Sequence, residues 1–152
     1  MPLSLVGSEM CIRDSRRSDQ EIHFELGRSI IAQSGSLISR VLFIKERSKK
    51  TFAIIDAGMT ELIRPALYQA THQIERIDSH ENTSNTYQNY DVVGPICESS
   101  DSFAQNYLLP VLQRGDLLAI RSAGAYGQVM KSNYNLRPDF PVIYSDKISD
   151  QP

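Results

Sequence analysis

The sequence predicts a mainly β fold, an antiparallel sandwich or barrel with a short helix. Two observations carry this. Short apolar runs rich in β-branched and aromatic residues recur along the chain, separated by charged or glycine-containing breaks. Only around Leu62 to Gln69 do apolar residues recur at near-helical spacing.

The first run, Leu37 to Lys45, reads Leu-Ile-Ser-Arg-Val-Leu-Phe-Ile-Lys. Both alternate sets, Leu37/Ser39/Val41/Phe43 and Ile38/Arg40/Leu42/Ile44, are largely apolar, so the period alone does not choose a buried face. A charged break from Lys45 to Lys50 leads into Thr51 to Ile55, and two runs around a polar turn predict a hairpin. The basic residues of the break read as its solvated tip. Gly58 ends the second run. Leu62, Ile63, Ala66, Leu67 and Ala70 predict a short helix with Pro65 in its first turn, where the missing N–H costs little. Ser79 to Tyr90 is polar and predicts a surface loop. Val92, Val93, Ile96 and Cys97 predict a strand interrupted at Gly94-Pro95, and Ser99 to Tyr107 is ambiguous. Leu117 to Arg121 predicts a strand, Gly124 to Gly127 a glycine-rich turn, and Phe140 to Tyr144 a final short strand.

Composition bounds the function. The chain has 152 residues, 16 Lys plus Arg and 18 Asp plus Glu, for a formal net charge of −2. That balance argues against a general nucleic-acid binder. Two cysteines, Cys11 and Cys97, cannot make a disulfide framework or a four-cysteine zinc site. His23, His72 and His80 lack zincin spacing, so no metal is expected. No apolar run approaches the roughly 18 residues of a membrane span. A soluble protein of a reducing compartment, the cytoplasm, is the expectation. The first 15 residues, MPLSLVGSEMCIRDS, are neither a signal peptide nor periodic. They resemble the conceptual translation of a sequencing-library adapter. The alternative is a genuine flexible tail.

Four clusters place polar groups beside glycine or a strand end: Glu25-Leu26-Gly27-Arg28; Asp56-Ala57-Gly58-Met59 with Arg64-Pro65-Ala66-Leu67-Tyr68; Gly94 to Asp101; and Ala123 to Gly127. Gly27 and Arg28 can offer an N–H and a guanidinium to an anion such as phosphate, or be a turn glycine and a surface arginine. Arg64 and Tyr68 share a helix face and can clamp a carboxylate, or be a surface pair. Cys97 can donate a proton beside the charged Glu98, or be a small core residue. Tyr126 can reach a phosphate through its hydroxyl, or pack in its turn.

The order and spacing of the four clusters resemble the C-terminal part of the diaminopimelate decarboxylase family, pyridoxal-phosphate enzymes of the alanine-racemase-like fold type. The resemblance covers about Ile22 to Ile148. It rests above all on the Gly-Pro-x-Cys-Glu-Ser-x-Asp and Ala-Gly-Ala-Tyr clusters. It implies a (β/α)8 barrel followed by a C-terminal β-domain. Residues 16–28 would then be a remnant of the barrel, with its last strand at Ile22 to Glu25, and residues 29–152 the β-domain. The Schiff-base lysine and the Gly-rich phosphate loop would lie outside the chain. Lys45, Lys49, Lys50, Lys131 and Lys147 match no family lysine motif.

The resemblance also implies roles. Glu25 would face the pyridine nitrogen of pyridoxal 5′-phosphate. Leu26, where the family usually has proline, Gly27 and Arg28 would lie on the phosphate side, with Arg28 also near the substrate. Arg64 and Tyr68 would hold the distal carboxylate of an amino-acid substrate, and Glu98 its distal ammonium. Cys97 would protonate the carbanion left after CO2 departs. Tyr126 would touch both phosphate and substrate. The implied reaction converts meso-2,6-diaminopimelate to L-lysine and CO2, the last step of lysine biosynthesis, in a cytoplasmic homodimer with a shared active site. The chain alone would be inactive. Two rivals remain: an ornithine- or arginine-type decarboxylase of the same group, whose substrate has a distal cation that Arg64 would repel, and a stand-alone β-domain with a binding role.

Overall fold

The computed structural model describes residues 18–19, 21, 23, 26–77 and 86–147. The predicted tail, the predicted loop residues Ser79 to Asn85, and Ile22, Phe24 and Glu25 of the predicted barrel strand lie outside the described residues. Six strands form one sheet: β1 (Leu37–Glu46), β2 (Thr51–Ile55), β3 (Ile74–Arg76), β4 (Tyr87–Val93), β5 (Ser102–Pro110) and β6 (Leu117–Ile120). Among the described residues two short α-helices accompany them, α1 (Arg28–Ile31) and α2 (Arg64–Tyr68).

The strand order is β3-β6-β1-β2-β4-β5. The two edge strands approach each other and nearly close the sheet into a barrel. The Tyr107 hydroxyl on β5 accepts the Ile74 amide of β3 at 3.1 Å, and Arg76 donates to the Val111 carbonyl at 3.1 Å. Inside lie Val41, Ala53, Ile55, Leu62, Tyr90, Val92, Phe103, Leu109, Leu118 and Ile120. Tyr90 is buried to its hydroxyl, which accepts the Leu112 amide at 3.0 Å and so satisfies the polar tip of a core side chain.

β1 and β2 form the expected hairpin, and its register explains why both alternate sets of β1 are apolar. Val41 pairs with Ile55 but Phe43 with Ile54, so β1 carries an extra residue at a bulge. Ser39 and Val41 face the core before it. After it, Ile44 packs on the core and Phe43 is exposed beneath the Arg114 guanidinium.

Four expectations change. Tyr87 to Tyr90 belong to β4 rather than a loop, because alternate residues carry the polarity while Tyr90 points inward. β4 stops at Val93; Ile96 and Cys97 lie in the connecting bends, where Pro95 removes a ladder donor. Phe140 to Tyr144 is irregular, with Val142, Ile143 and Tyr144 exposed, and among the described residues no strand pairs with this apolar stretch to hold it extended. The helix is shorter than Leu62 to Gln69, since Gln69 turns left-handed at φ 53° and ends it.

One pairing positions the rest. The sheet is antiparallel except between β2 and β4, which run parallel with Ala53 opposite Val92. Both strands therefore exit at the same end of the sheet. The segment after β2, leading to α2, and the segment after β4, leading to β5, are neighbours for that reason.

Candidate functional site

The two exit segments meet at Asp101. Its Oδ1 accepts the Met59 amide at 2.6 Å, and its Oδ2 accepts the Ile96 amide at 2.7 Å. Beyond Met59, the turn from Gly58 to Leu62 is closed by Glu61, whose carboxylate accepts the Gly58 amide at 2.6 Å and the Thr60 hydroxyl at 2.9 Å. The chain then enters α2, with Pro65 in the first turn as predicted. Arg64 is buried apart from 8% of its surface, and its guanidinium lies 5.4 Å from the centre of the exposed Tyr68 ring.

Cys97 and Glu98 stand on the other segment, both exposed. The alternative of a core cysteine is thereby set aside. The Glu98 carboxylate accepts the Ser100 amide at 3.3 Å and the Ser99 hydroxyl at 3.2 Å. The amide first and the hydroxyl second hold Glu98 below the usual carboxylate range, so it carries its charge at neutral pH. A groove of about 400 Å³ runs between the two elements, with Pro65, Ala66 and Gln69 on one wall and Ser99, Ser100 and Phe103 on the other. A larger groove, of about 480 Å³, lies at the β1–β2 hairpin against Lys45, Lys49, Lys50 and Phe52 and touches none of the predicted site residues. Its openness and basic rim fit the solvated hairpin tip.

The remaining predicted residues form a second group. Leu26, Gly27 and Arg28 are exposed, and Gly27 adopts φ 51° and ψ −124°, a conformation open to glycine and strained for other residues. Arg28 opens α1. Tyr126 is exposed and left-handed at φ 64°, held between Gly124 and Gly127. Main-chain bonds dock the two segments: Gly124 donates to the Ala32 carbonyl at 3.0 Å and Ala123 to Gly35 at 2.8 Å. The approach is close enough that a Cβ on Gly35 would stand 2.6 Å from the Gly124 Cα.

The second group is tied to the first through the segment that follows Tyr126. Ser132 donates to the Thr60 carbonyl at 3.0 Å, and Arg137 donates to the Asp56 carbonyl at 2.5 Å while lying 3.6 Å from Glu61. Among the described residues, no hydrogen bond or ion pair joins Cys97 or Glu98 directly to Arg64, Tyr68, Arg28 or Tyr126. The fold thus gathers five anchoring groups that the sequence reading gave no role: Ser39, whose hydroxyl donates to the Asp56 carboxylate at 2.6 Å and accepts the Ala57 amide at 2.9 Å, Asp56 itself, Glu61, Asp101 and Arg137. The signal for two of them was present. Glu61 and Asp101 each follow a turn glycine, Gly58 and Gly94, and each accepts a local amide, that of Gly58 and that of Ile96. Asp56 and Arg137 leave no such local pattern, since Asp56 accepts the distant Arg40 amide and Arg137 reaches the Asp56 carbonyl.

Chemically, the described residues offer a thiol hydrogen, a negative charge, a buried cation with an aromatic neighbour, and a set of donors that suit a phosphate. No cluster of three or more metal-ligating side chains occurs among the described residues, and none of the helices there is long and apolar enough to cross a membrane.

Comparison with known proteins gives a consistent result. Residues 13–124 match the family described as pyridoxal-dependent decarboxylase, C-terminal sheet domain. The diaminopimelate decarboxylase of Bacteroides thetaiotaomicron is 60% identical over 129 residues, covering 85% of this chain and 32% of the relative. That of Vibrio cholerae is 52% identical over 134 residues, covering 88% of this chain and 31% of the relative. The Helicobacter pylori enzyme crystallised with L-lysine superimposes with a TM-score of 0.65 at 50% identity, covering 72% of this chain and 26% of that one. The chain therefore spans about a third of the length of its curated relatives. With its nearly closed six-stranded sheet, it belongs to the pyridoxal-dependent decarboxylase family, within that family's C-terminal sheet domain.

Proposed function

We propose that this chain is the C-terminal part of a decarboxylase that converts meso-2,6-diaminopimelate to L-lysine and CO2 with pyridoxal 5′-phosphate. The observation that carries the reading is the exposed Cys97–Glu98 pair, held on a pinned segment across a groove from the Arg64–Tyr68 helix. The 60% identity to a diaminopimelate decarboxylase supports it. So does the L-lysine held by the crystallised Helicobacter pylori relative.

The residues present suit the cofactor. The Gly27 amide, the Arg28 guanidinium and the Tyr126 hydroxyl are donors, as a phosphate dianion requires, and they sit on two segments docked to each other. Glu25 would hold the proton of the pyridine nitrogen. When bound, pyridoxal phosphate supplies the electron sink for the charge left as CO2 departs. Cys97 then gives its thiol proton to the substrate carbon from one face. Glu98, ionised at neutral pH, holds the distal ammonium, and Arg64 with Tyr68 holds the distal carboxylate. An ornithine- or arginine-type substrate has no carboxylate to offer Arg64. Residues 16–28 complete the cofactor barrel and residues 29–152 form the β-domain, in a cytoplasmic homodimer where Cys97 and Glu98 reach the partner subunit's site.

The test joins residues 16–152 in frame to the N-terminal part of the Bacteroides thetaiotaomicron enzyme at the aligned boundary. Lysine formation from meso-diaminopimelate by the joined, cofactor-loaded dimer, and none by the 152-residue chain alone, is the expected result. A joined dimer that binds the cofactor yet prefers ornithine or arginine, or turns over neither, refutes the reading.

A further inference from the structure

We propose that Asp101 is the positioning residue of the proton-donor segment: by clasping Met59 and Ile96 together, it sets where Cys97 and Glu98 stand relative to α2. This rests on the reading of Cys97 given above.

Several observations converge on Asp101. Its side chain is enclosed, with 4% of the residue exposed, and each carboxylate oxygen accepts one backbone amide. The two amides belong to the two segments that leave the parallel strands β2 and β4. Its main chain closes the same segment on itself, accepting from Gly94 at 3.1 Å and donating to Glu98 at 3.1 Å. Cys97 directly follows one anchored amide, and the segment returns to the barrel at Asp101 four residues later. Across the same gap, the Ser100 hydroxyl lies 3.8 Å from the Met59 sulfur. The carboxylate fills the space in front of Gly94 so completely that any Cβ there would collide with it, and a Cβ on Gly58 would stand 3.2 Å from it and 2.8 Å from Ile96.

Asp101 performs no chemistry in this scheme. Met59 lies five residues before Arg64, so a clasp between Met59 and Ile96 fixes the thiol and the distal clamp in one frame. An error of about 1 Å in such a frame costs on the order of 100-fold in rate. The burial of this carboxylate and the neighbouring Glu61 raise its proton affinity, against the two amides and Arg137. The clasp is therefore held at an electrostatic cost, offset by the two enclosed amides that the carboxylate satisfies.

The experiment uses Asp101→Asn, which keeps the shape but turns one acceptor oxygen into a donor facing an amide. In the 152-residue chain, hydrogen exchange should speed up at least about 10-fold at Met59 or Ile96 and stay unchanged at Leu118 and Ile120 in β6. In the joined, cofactor-loaded enzyme, kcat should fall about 10–100-fold while KM for meso-diaminopimelate and cofactor absorbance hold. If the variant fails to fold, Gly58→Ala presses the same joint more gently and should show the same split. Faster exchange with unchanged kcat makes Asp101 a structural residue only and overturns the proposal, leaving the proposed function intact. An inactive parent enzyme removes the proposed function first and the positioning role with it, whereas a Cys97→Ala variant as active as the parent removes the proton-donor role of Cys97, and the positioning role with it, while the decarboxylase reading stands.

Discussion

The Arg64 guanidinium lies 5.4 Å from the centre of the Tyr68 ring, one helical turn away, with Arg64 buried and Tyr68 exposed. The ring lies against the guanidinium itself, so part of the cation is shielded from water. A cation desolvated in this way binds a carboxylate more tightly than a surface lysine would. Arg64→Ala should raise KM for meso-diaminopimelate about 10–100-fold, the equivalent of the ~1.5–3 kcal/mol of a hydrogen bond to a charged group, and leave kcat within a few-fold. Arg64→Lys should recover only part of the loss, because it lacks the planar fork. Steady-state kinetics on the three enzymes decide it. A kcat defect without a KM defect would move Arg64 from substrate binding to chemistry.

Much of the barrel was legible because its strands follow composition: the β1–β2 hairpin, β6 and the Pro65 helix all stand where apolar runs and breakers place them. Bulges were not legible. The one in β1 exchanges the inward set after Val41, and β5 shifts register against β4 twice, with Asn106 at φ 51° in one of the shifts, which is why Ser99 to Tyr107 gave no clean alternation. Nor was the parallel β2–β4 pairing, since alternation along a strand carries no information about the direction of its neighbour. The site inherits the same division. Cys97, Glu98, Arg64 and Tyr68 were nominated through cluster order, while the long-range contacts of Asp101 with Met59 and of Arg137 with Glu61 depend on which loops the topology brings together.

The bulge in β5 yields a prediction about pH. Asp91 accepts the Asn106 amide at 2.7 Å on one oxygen and the Lys50 ammonium at 2.6 Å on the other. Burial pushes the Asp91 carboxyl up, but the Lys50 and Asn106 hydrogen bonds outweigh it and hold it below its ordinary value of 3.8. A folded-state value below the unfolded one gives stability that is full above the unfolded value and drains as pH falls through the folded one. Asp91→Asn should cost about 1–3 kcal/mol at neutral pH and flatten the acid limb below roughly pH 4. Asp101 works with the opposite sign, since its raised value favours the folded state on the acid side. Thermal unfolding of the 152-residue chain from pH 7 to pH 3 measures the difference. Parallel curves for the two proteins would show that Asp91 is not linked to folding.

Tyr126 offers a separation of backbone from hydroxyl. Its left-handed φ of 64° is uncommon for a residue with a Cβ, and the flanking glycines hold it there. Tyr126→Phe keeps that backbone and removes only the hydroxyl. Unfolding of the 152-residue chain should be unchanged to within about 0.5 kcal/mol, as for substitutions at exposed positions. Cofactor affinity in the joined enzyme should drop about 3–10-fold, the scale of one hydrogen bond. Tyr126→Gly relaxes the turn as well, and should bind the cofactor no better than the phenylalanine variant. Spectroscopic titration with pyridoxal phosphate reads all three, and equal affinities for wild type and Tyr126→Phe would leave the hydroxyl without a role.

Cys97 carries the sharpest expectation, because its neighbours assign it no packing role: it is exposed, sits in bends between β4 and β5, and adjoins the charged Glu98. A group that donates a proton after the cofactor is engaged should leave cofactor binding alone when removed. Cys97→Ala in the joined enzyme should therefore lose about 100-fold or more in kcat, within the usual contribution of a general acid, with cofactor absorbance intact. Cys97→Ser, with its much weaker acid, should recover little. The shared site is tested by mixing two inactive parents, one carrying Cys97→Ala and the other lacking the cofactor lysine. In the mixed dimer, one of the two sites receives both an intact lysine and an intact Cys97 only if the thiol crosses to the partner subunit. Activity returning toward a quarter of wild type after subunit exchange follows from that arithmetic: about half of the randomly assorted dimers are mixed, and each has one working site of two. No recovery, in dimers shown by mass to have exchanged, would place Cys97 in its own subunit's site. A fully active Cys97→Ala homodimer would make it an ordinary exposed thiol.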